Sequence, residues 1–442
     1  MSFLIIPIAF LTAIPTAAQT SKHPQQYHAY GDSITAGHTL TDPATQEFPA
    51  VVGAYEGVPF EDYAVGSSEA CDLPVNQIFA HEDSPSLASY SIYSVLIGSP
   101  DVIFRGDGAH ELVFMMCHKA ILSWLAVPKE YKVLATSSAV TTTGPGSIDT
   151  KDNWNAWTTE GLGSTVSFPI TTTVSGPIYL WPLISSVNPT TYTYSLDGLV
   201  VGTETTQWTV STALGNTTSL GFIRLGAVPP GKHVVKVTQT SAGTVSVVGI
   251  GTTRGTASGT MPTVLVGTLT YQRDTAGCTI ASYEPCLNYT LDVEADMNIF
   301  LIDGLDLRLF DTRNYMFATA PEMDDDYHPS ALGQIEIGHS IEAIYANRLG
   351  QITSPAPNAT LTENETFTWS PAPGISYYDL HLSTVGPGGA DLFASGTVRG
   401  NSVTVNGIPA HATIYAKLYS WVNGAAASWG DWEGVDYTYT TQ

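Results

Sequence analysis

Tyr27-His28-Ala29-Tyr30-Gly31-Asp32-Ser33-Ile34-Thr35-Ala36-Gly37 is the stretch on which the fold turns. A short, mostly apolar strand runs into a glycine-punctuated turn that carries a carboxylate and a hydroxyl. Such a turn can stand a nucleophile exposed above a sheet, with backbone N–H groups close by. The same texture continues outward from it. Apolar runs at 60–65 and 92–97 alternate with helix-like stretches, the clearest at 110–125, which is the pattern of an α/β domain.

From about residue 131 to 259 the helical period vanishes. Thr- and Val-rich alternation at 165–168, 178–181, 192–194 and 233–237, separated by Asp197-Gly198 and Pro229-Pro230-Gly231, predicts an all-β sandwich. The α/β texture then returns, with a strand at 264–267, an amphipathic helix at 287–302 stopped at Gly304, and a strand at 307–310. A final helix over 330–349 has apolar positions at Leu332, Ile335, Ile341, Ile344, Tyr345 and Leu349. The sandwich therefore reads as an insertion. Beyond Gly350, Ser354-Pro355-Ala356-Pro357 reads as a linker, and turn signals at Ala372-Pro373-Gly374 and Gly386-Pro387-Gly388-Gly389 punctuate a second sandwich. The expected organisation is a signal peptide at 1–18, an α/β domain in two parts at 19–130 and 260–350, the inserted sandwich at 131–259 and a C-terminal domain at 353–442. Both sandwiches are expected to fold autonomously.

The 442 residues suit about three domains. Lys and Arg number 16 against 40 Asp and Glu, a net charge of −24, so no cationic cluster is available to replace phosphate counterions. Nucleic acid and anionic membrane are excluded as partners on that ground. Residues 3–14 are apolar except for Thr12, and Thr16-Ala17-Ala18 follows, which reads as a secretory signal cleaved after Ala18 although Lys and Arg are missing near Met1. The run is too short to span a bilayer, and no later segment is apolar for long enough to be transmembrane. Export, to the extracellular space or a periplasm, suits the cysteines. Cys278 and Cys286 lie close together in a polar stretch and read as a surface disulfide, whereas a Cys71–Cys117 pair stays open. Neither spacing suggests zinc. His38, His110, His118 and His339 have no ligand spacing either and read as structural. The oligomeric state is left open.

The chemistry lies at the two ends of the α/β texture. Gly-Asp-Ser alone carries little weight, but Asp325-Asp326-Tyr327-His328-Pro329 stands just before the final helix. A serine needs an imidazole to accept its proton, and that imidazole needs a carboxylate on its other nitrogen. Asp325, three positions before His328 on one loop, can supply it. The bland alternative is a solvated acidic turn at Asp324-Asp325-Asp326 and a surface histidine.

On these two motifs the chain resembles the SGNH (GDSL-type) hydrolase superfamily, a three-layer, flavodoxin-like α/β/α fold of secreted esterases and lipases. The resemblance covers the α/β portions, about half the chain. It implies Ser33 as nucleophile, His328 as base and Asp325 as its orienting acid. It also implies an oxyanion hole from the N–H groups of Ser33 and Gly66, the latter matched by Tyr63-Ala64-Val65-Gly66. The family's third block reads Gly-x-Asn-Asp, and here Gly98-Ser99-Pro100-Asp101 has proline where the family has its amide donor. Proline offers neither an amide side chain nor an N–H. The hydroxyl of Ser99 is the candidate substitute.

The insert resembles, more weakly, the galactose-binding-like jelly rolls that accompany carbohydrate esterases, through Tyr194-Ser195-Leu196-Asp197-Gly198 and Gly231-Lys232-His233-Val234-Val235. Trp154, Trp157, Trp181 and Trp208 are candidates for sugar stacking, with core filling as the commoner role. The C-terminal stretch, with Trp369 and the later runs Tyr377-Tyr378 and Tyr415 to Trp421, resembles a fibronectin type III module. The implied protein is a secreted serine esterase without metal or cofactor, acting on small, above all acetyl, esters of carbohydrate. Two rivals stand beside it: a lipase or thioesterase for longer acyl chains, and a carbohydrate-binding protein on a weakened hydrolase scaffold.

Overall fold

The computed structural model describes residues 24–81, 84–106, 109–150, 154–273, 278–279, 283–345, 349–357, 359–370, 377–386, 388–422 and 431–442. The signal-peptide reading of 1–18 and the turn at Ala372-Pro373-Gly374 lie outside the described residues. Five parallel strands, β1 (Gln26–Gly31), β2 (Phe60–Asp62), β3 (Ser91–Leu96), β4 (Thr263–Gly267) and β5 (Asp306–Phe310), form one sheet in the order β2-β1-β3-β4-β5. The order reverses between β1 and β3, and a doubly wound sheet opens a crevice at that point, outside the carboxyl ends of its strands.

The helices are α1 (Phe48–Glu56), α2 (Ser99–Arg105), α3 (Ala109–Ala126), α4 (Glu284–Ile302) and α5 (Ala331–Tyr345), the last three in the stretches whose pattern reads as helical. Because side chains alternate along a strand, each strand feeds two cores. Tyr27, Ala29, Ile92, Leu96 and Leu265 pack with Phe48 and Val52 of α1 and Ile337 and Ile341 of α5. Tyr30, Tyr93, Val95, Val264 and Val266 pack with Phe114 and Ile121 of α3 and Tyr289 and Val293 of α4. Burial on both faces is why β3 and β4 read as nearly unbroken apolar runs. Strand β2 ends at Asp62, whose carboxylate accepts from the Ala64 N–H (2.9 Å), while the N–H groups of Tyr63 and Val65 still donate to the Ala29 and Gly31 carbonyls of β1 (3.0 and 3.3 Å). On α5 the inner face is set by Ile337 and Ile341, while Leu332 and Ile335 stand well exposed. No described helix is long and apolar enough to cross a membrane.

The insert consists of two antiparallel sheets. One is built on Thr165–Thr172, Thr191–Leu196, Leu199–Thr205 and Gly231–Gln239, the other on Ala156–Thr159, Gly176–Ser185 and Val245–Thr252. Phe168, Leu180, Val235, Val237 and Val247 fill the space between them. A two-residue turn closes the Asp197-Gly198 hairpin, with φ 52° and 86°. Asp197 accepts from Val234 N–H (2.8 Å) and meets His233 Nδ1 (2.8 Å), whose other nitrogen donates to the Pro229 carbonyl (2.8 Å).

Gly176–Ser185 is buried along its whole length. Its second face carries Tyr179, Trp181 and Leu183 into the core formed by α3 and α4. Trp181 Nε1 donates to Ser123 Oγ (2.9 Å) and its ring packs edge-on to Trp124 at 5.1 Å. Tyr179 donates to the Asp303 carboxylate (2.7 Å), which Arg224 also holds at 2.9 Å. The inner sheet of the insert thus shares a core with the helices of the α/β region, which an autonomous sandwich would leave uncovered. Trp154 and Trp181 are buried there and Trp157 and Trp208 pack half-buried, so the four tryptophans fill space.

At the C-terminus a three-stranded and a five-stranded sheet enclose Phe367, Trp369, Tyr378, Leu380, Leu418 and Tyr439. Leu349 and Ile352 belong to that core, and Gln351–Ser354 pairs with Asn364–Ser370, so this unit begins before the proline-rich stretch at 354–357. Cys71 pairs with Cys117 and Cys278 with Cys286. The second pair is not at the surface: Cys286 lies on the inner face of α4, one turn before Tyr289, and both sulfurs are in the core.

Each large aromatic on the second face of the insert is worth about 1.5–3 kcal/mol of burial. Expressed alone, residues 131–259 should consequently aggregate or lack a cooperative melt by circular dichroism. A chain ending before Leu349 should keep the transition of the remaining core. A sharp melt from the isolated insert would show that its packing on α3 and α4 is dispensable.

Candidate active site

The crevice beside β1 and β3 is assembled from loops that leave the carboxyl ends of the strands. At the end of β1, a Cβ on Gly31 would fall on the Thr35 hydroxyl and the Leu96 carbonyl, so only glycine lets these groups come so close to the chain. Asp32 Oδ1 accepts from Ile34 N–H (2.8 Å), its carbonyl accepts from Ala36 N–H (3.1 Å), and Ser33 O accepts from His38 N–H (2.9 Å). Gly37 closes the turn at φ 58°. These bonds leave the Ser33 side chain half-exposed at the top of the sheet.

The second loop leads into α5. Met323 and Pro329 pair across it, Asp324 N–H donates to His328 O (3.0 Å), and Ser330 N–H donates to Glu322 O (2.8 Å). This hairpin-like closure brings His328 Nε2 to 3.0 Å from Ser33 Oγ and His328 Nδ1 to 2.8 Å from Asp325 Oδ2. With Nδ1–H directed at the carboxylate, Nε2 is the acceptor for the serine proton. Asp325 Oδ1 also accepts from the N–H groups of Tyr327 (2.8 Å) and His328 (2.7 Å). Partial burial pushes the Asp325 carboxyl up, but its bonds to His328 and to those N–H groups outweigh that and hold it below the ordinary carboxylate range. Asp324 instead accepts from Thr39 Oγ (3.0 Å). Gln334, in the first turn of α5, ties the two loops together: its amide donates to Ile34 O (2.8 Å) and accepts from Phe48 N–H (2.9 Å).

Gly66 lies beside the nucleophile, where an added methyl would stand 3.9 Å from Ser33 Cβ, and it is exposed. Ser99 and Pro100 form the first turn of α2, and both are buried. Proline is harmless to the helix there, because first-turn N–H groups have no intrahelical partner. Asp101 points inward, where Oδ2 accepts from Ala70 N–H (3.0 Å) and Oδ1 meets His110 Nε2 (3.1 Å). Burial pushes the Asp101 carboxyl up to about 6, against the pull of His110. Asp32, also buried and facing Asp101, is pushed up to about 7.

Glu69, Asp101 and His110 bring their ligand atoms within 4.8 Å of one another. Arg105 is the cation of this group, with its guanidinium on both Glu69 oxygens at 2.9 and 3.0 Å. His118 pairs with Asp296 (3.0 Å) between α3 and α4, and His339 with Glu336 (3.5 Å) on α5. His38 stands apart from these: its exposed ring tilts against that of His328 with centroids 4.5 Å apart. From the sequence His38 reads as structural, and Gln77, Gln334 and Glu69 carry no signal. His38 closes the same glycine-punctuated turn as Ser33, which is what brings its ring to His328. Gln77, Gln334 and Glu69 reach the site through tertiary contacts that no local spacing encodes.

No family model matches the chain, and no curated protein does. Among solved structures, a two-domain esterase active on acetylated mannans, co-crystallized with mannopentaose, is 13% identical with a TM-score of 0.31, covering 53% of this chain and 92% of its own. A family 35 carbohydrate-binding module from Cellvibrio japonicus is 17% identical with a TM-score of 0.23, over 30% of this chain and 98% of its own. A family 6 module of a laminarinase from Zobellia galactanivorans is 17% identical with a TM-score of 0.22, over 28% of this chain and 98% of its own. Scores this low decide neither the fold nor the activity.

Because Asp32 is raised to about 7 from 3.8, the folded chain binds more protons than the unfolded one between those values, and stability must fall as pH rises through that window. Asp32→Asn keeps the acceptor for Ile34 N–H and removes the titration. It should raise the melting temperature more at pH 8 than at pH 4. An equal change at both values would show that Asp32 stays ionised in the folded chain.

Proposed function

We propose that this chain is an exported serine esterase of the SGNH type, built on that superfamily's three-layer α/β/α fold, that removes small acyl groups, acetyl above all, from carbohydrate. One observation carries the reading: Ser33, His328 and Asp325 form a continuous hydrogen-bonded series, at 3.0 and 2.8 Å, on loops at the carboxyl ends of a parallel sheet. In this reading the α/β domain spans 19–130 and 260–350, around the insert, and a fibronectin type III-like unit ends the chain.

Ser33 Oγ attacks the acyl carbonyl while His328 Nε2 takes its proton. Asp325, ionised throughout the range in which imidazole acts as a base, fixes the tautomer and stabilises the imidazolium. The tetrahedral intermediate collapses as His328 returns that proton to the departing alkoxide, leaving acyl-Ser33. Water, deprotonated by the same ring, then releases the acid. The N–H groups of Ser33 and Gly66 receive the oxyanion, and the Ser99 hydroxyl is the proposed stand-in for the amide that Pro100 replaces. The rim around Ser33 exposes the His38 imidazole, the Thr39 and Ser67 hydroxyls and the Tyr327 phenol, groups suited to a polyhydroxyl alcohol.

Ser33→Ala and His328→Ala should each lower kcat on p-nitrophenyl acetate by about 10³-fold or more with little change in melting temperature, and Asp325→Ala by less. Across acetate, butyrate and octanoate esters, turnover should fall with chain length. A preference for octanoate would favour a lipase or thioesterase, and no turnover of any ester would favour a binding protein.

The Gly66 contribution is separable. Gly66→Ala keeps the N–H and meets only ordinary contacts, so it should stay within about threefold of the wild type. Gly66→Pro removes the donor and should lose about 10²-fold or more in kcat. Equal activity in the two variants would place the oxyanion elsewhere.

A further inference from the structure

The loop that carries Gly66 is gripped by the insert. It leaves β2, passes Gly66 and Ser67, the latter at φ 65°, and at once becomes buried at Ser68, Glu69 and Ala70. Glu69 and Asp72 cap each other's backbone in the short helical turn Ala70–Asp72. From there three contacts cross to the insert. Ala213 N–H donates to Glu69 Oε1 (2.7 Å), Asn216 Nδ2 donates to Asp72 Oδ1 (2.5 Å), and Ser219 Oγ donates to the Cys71 carbonyl (2.8 Å). Arg105 reaches the Ser211 carbonyl while holding Glu69.

The same loop is bound to the nucleophile strand on its other side. Gln77 accepts from Gly31 N–H (3.1 Å) and donates to Gly31 O (2.7 Å) and to Ser68 Oγ (3.1 Å). Asp101, on α2, holds Ala70 N–H, and Cys71 is bonded to Cys117 on α3. Gly66 is thus the exposed end of a buried, hydrogen-bonded bracket, one of whose sides is supplied by residues 211–219 of the insert.

We infer that the insert acts in the reaction itself, as the element that sets the position of the Gly66 N–H against Ser33, with Glu69, Ala213 and Asn216 as positioning residues. This rests on the esterase reading above. A donor must sit 2.7–3.1 Å from where the oxyanion forms, and a misplacement of about 1 Å far from the chemistry can cost about 10²-fold. The ground-state ester asks less of that donor, so loosening the bracket should lower kcat and leave KM nearly unchanged.

Asn216→Ala and Glu69→Gln test this in the full chain, with His233→Gln, which disturbs the insert's far hairpin, as the control. Steady-state kinetics on p-nitrophenyl acetate should give a kcat about tenfold or more below wild type for the first two, KM within twofold, and no change for the control at a comparable loss of melting temperature. Hydrogen–deuterium exchange, which needs no turnover, should speed up in the peptide spanning residues 66–77 and stay unchanged in β1, β3 and β4. The inference is overturned if kcat stays within twofold of wild type, if the control loses as much activity, or if exchange at 66–77 is unaltered. A wild type no more active than Ser33→Ala overturns the esterase reading instead, and the exchange data alone then decide whether the insert holds this loop.

Discussion

The contact on which the proposed chemistry depends is the 3.0 Å hydrogen bond between Ser33 and His328, because it joins segments 295 residues apart in the chain. Each side must be stiff before the two meet, since a flexible pair would give back in conformational entropy what one hydrogen bond of about 1 kcal/mol supplies. The serine side is stiffened by a turn entered at Gly31, where only glycine admits the Thr35 and Leu96 groups so close, and the histidine side by the backbone closure across 322–330. Gln334 then fixes one to the other by bonding the carbonyl of the residue after Ser33. The parallel sheet supplies the rest, because both loops leave the carboxyl ends of its strands.

A parallel α/β sheet of five strands is small, and its helices would ordinarily face solvent on their outer side. Here α3 and α4 are covered a second time. The inner sheet of the insert presents Tyr179 and Trp181 to them, and Asp303 at the end of α4 binds both Tyr179 and Arg224. The strand Gly176–Ser185 is consequently buried on both faces, unlike the half-exposed Thr165–Thr172 on the opposite sheet. Two separate domains joined by a linker would place polar side chains at those positions. The apolar and aromatic residues found there mean that the insert and the helices fold against each other, which is also what gives residues 211–219 a fixed place beside the Gly66 loop.

Much of this was written in local patterns. The strand at 26–31 and its turn, the helices at 109–126 and 284–302, and the alternation within the insert all follow from period and punctuation. What periodicity could not carry was the destination of a second face. Ile178-Tyr179-Leu180-Trp181 reads as a sandwich strand in either case, and nothing local says that Tyr179 and Trp181 meet helices rather than water or sugar. The cysteines make the same point: a polar neighbourhood around Cys278 suggested the surface, yet Cys286 faces inward on α4 and takes its partner with it. At the site, Asp325 and His328 were readable because one loop holds both. Glu69, Gln77 and Gln334 were not, since each acts on a backbone group brought near by tertiary folding.

The distribution of charge explains why those side chains are there. With 16 Lys and Arg against 40 Asp and Glu, the chain has few cations to place beside a buried carboxylate. Around the crevice backbone N–H groups hold several carboxylates, Ile34 on Asp32, Ala64 on Asp62, Ala70 on Asp101 and two on Asp325, while Glu69 takes the Arg105 guanidinium as well as the Ala213 N–H. Each such bond fixes a loop at a defined point, and burial makes the bond hard to exchange for water. Burial pushes Asp32 and Asp62 up to about 7, against the opposing pull of those backbone N–H groups. Among these crevice carboxylates Asp325 differs in direction: Asp101 also faces an imidazole but is deeply buried and pushed up, whereas the less buried Asp325 is held low by His328 and two backbone N–H groups. In the proposed reaction it is this carboxylate that must keep its charge while its partner gains a proton.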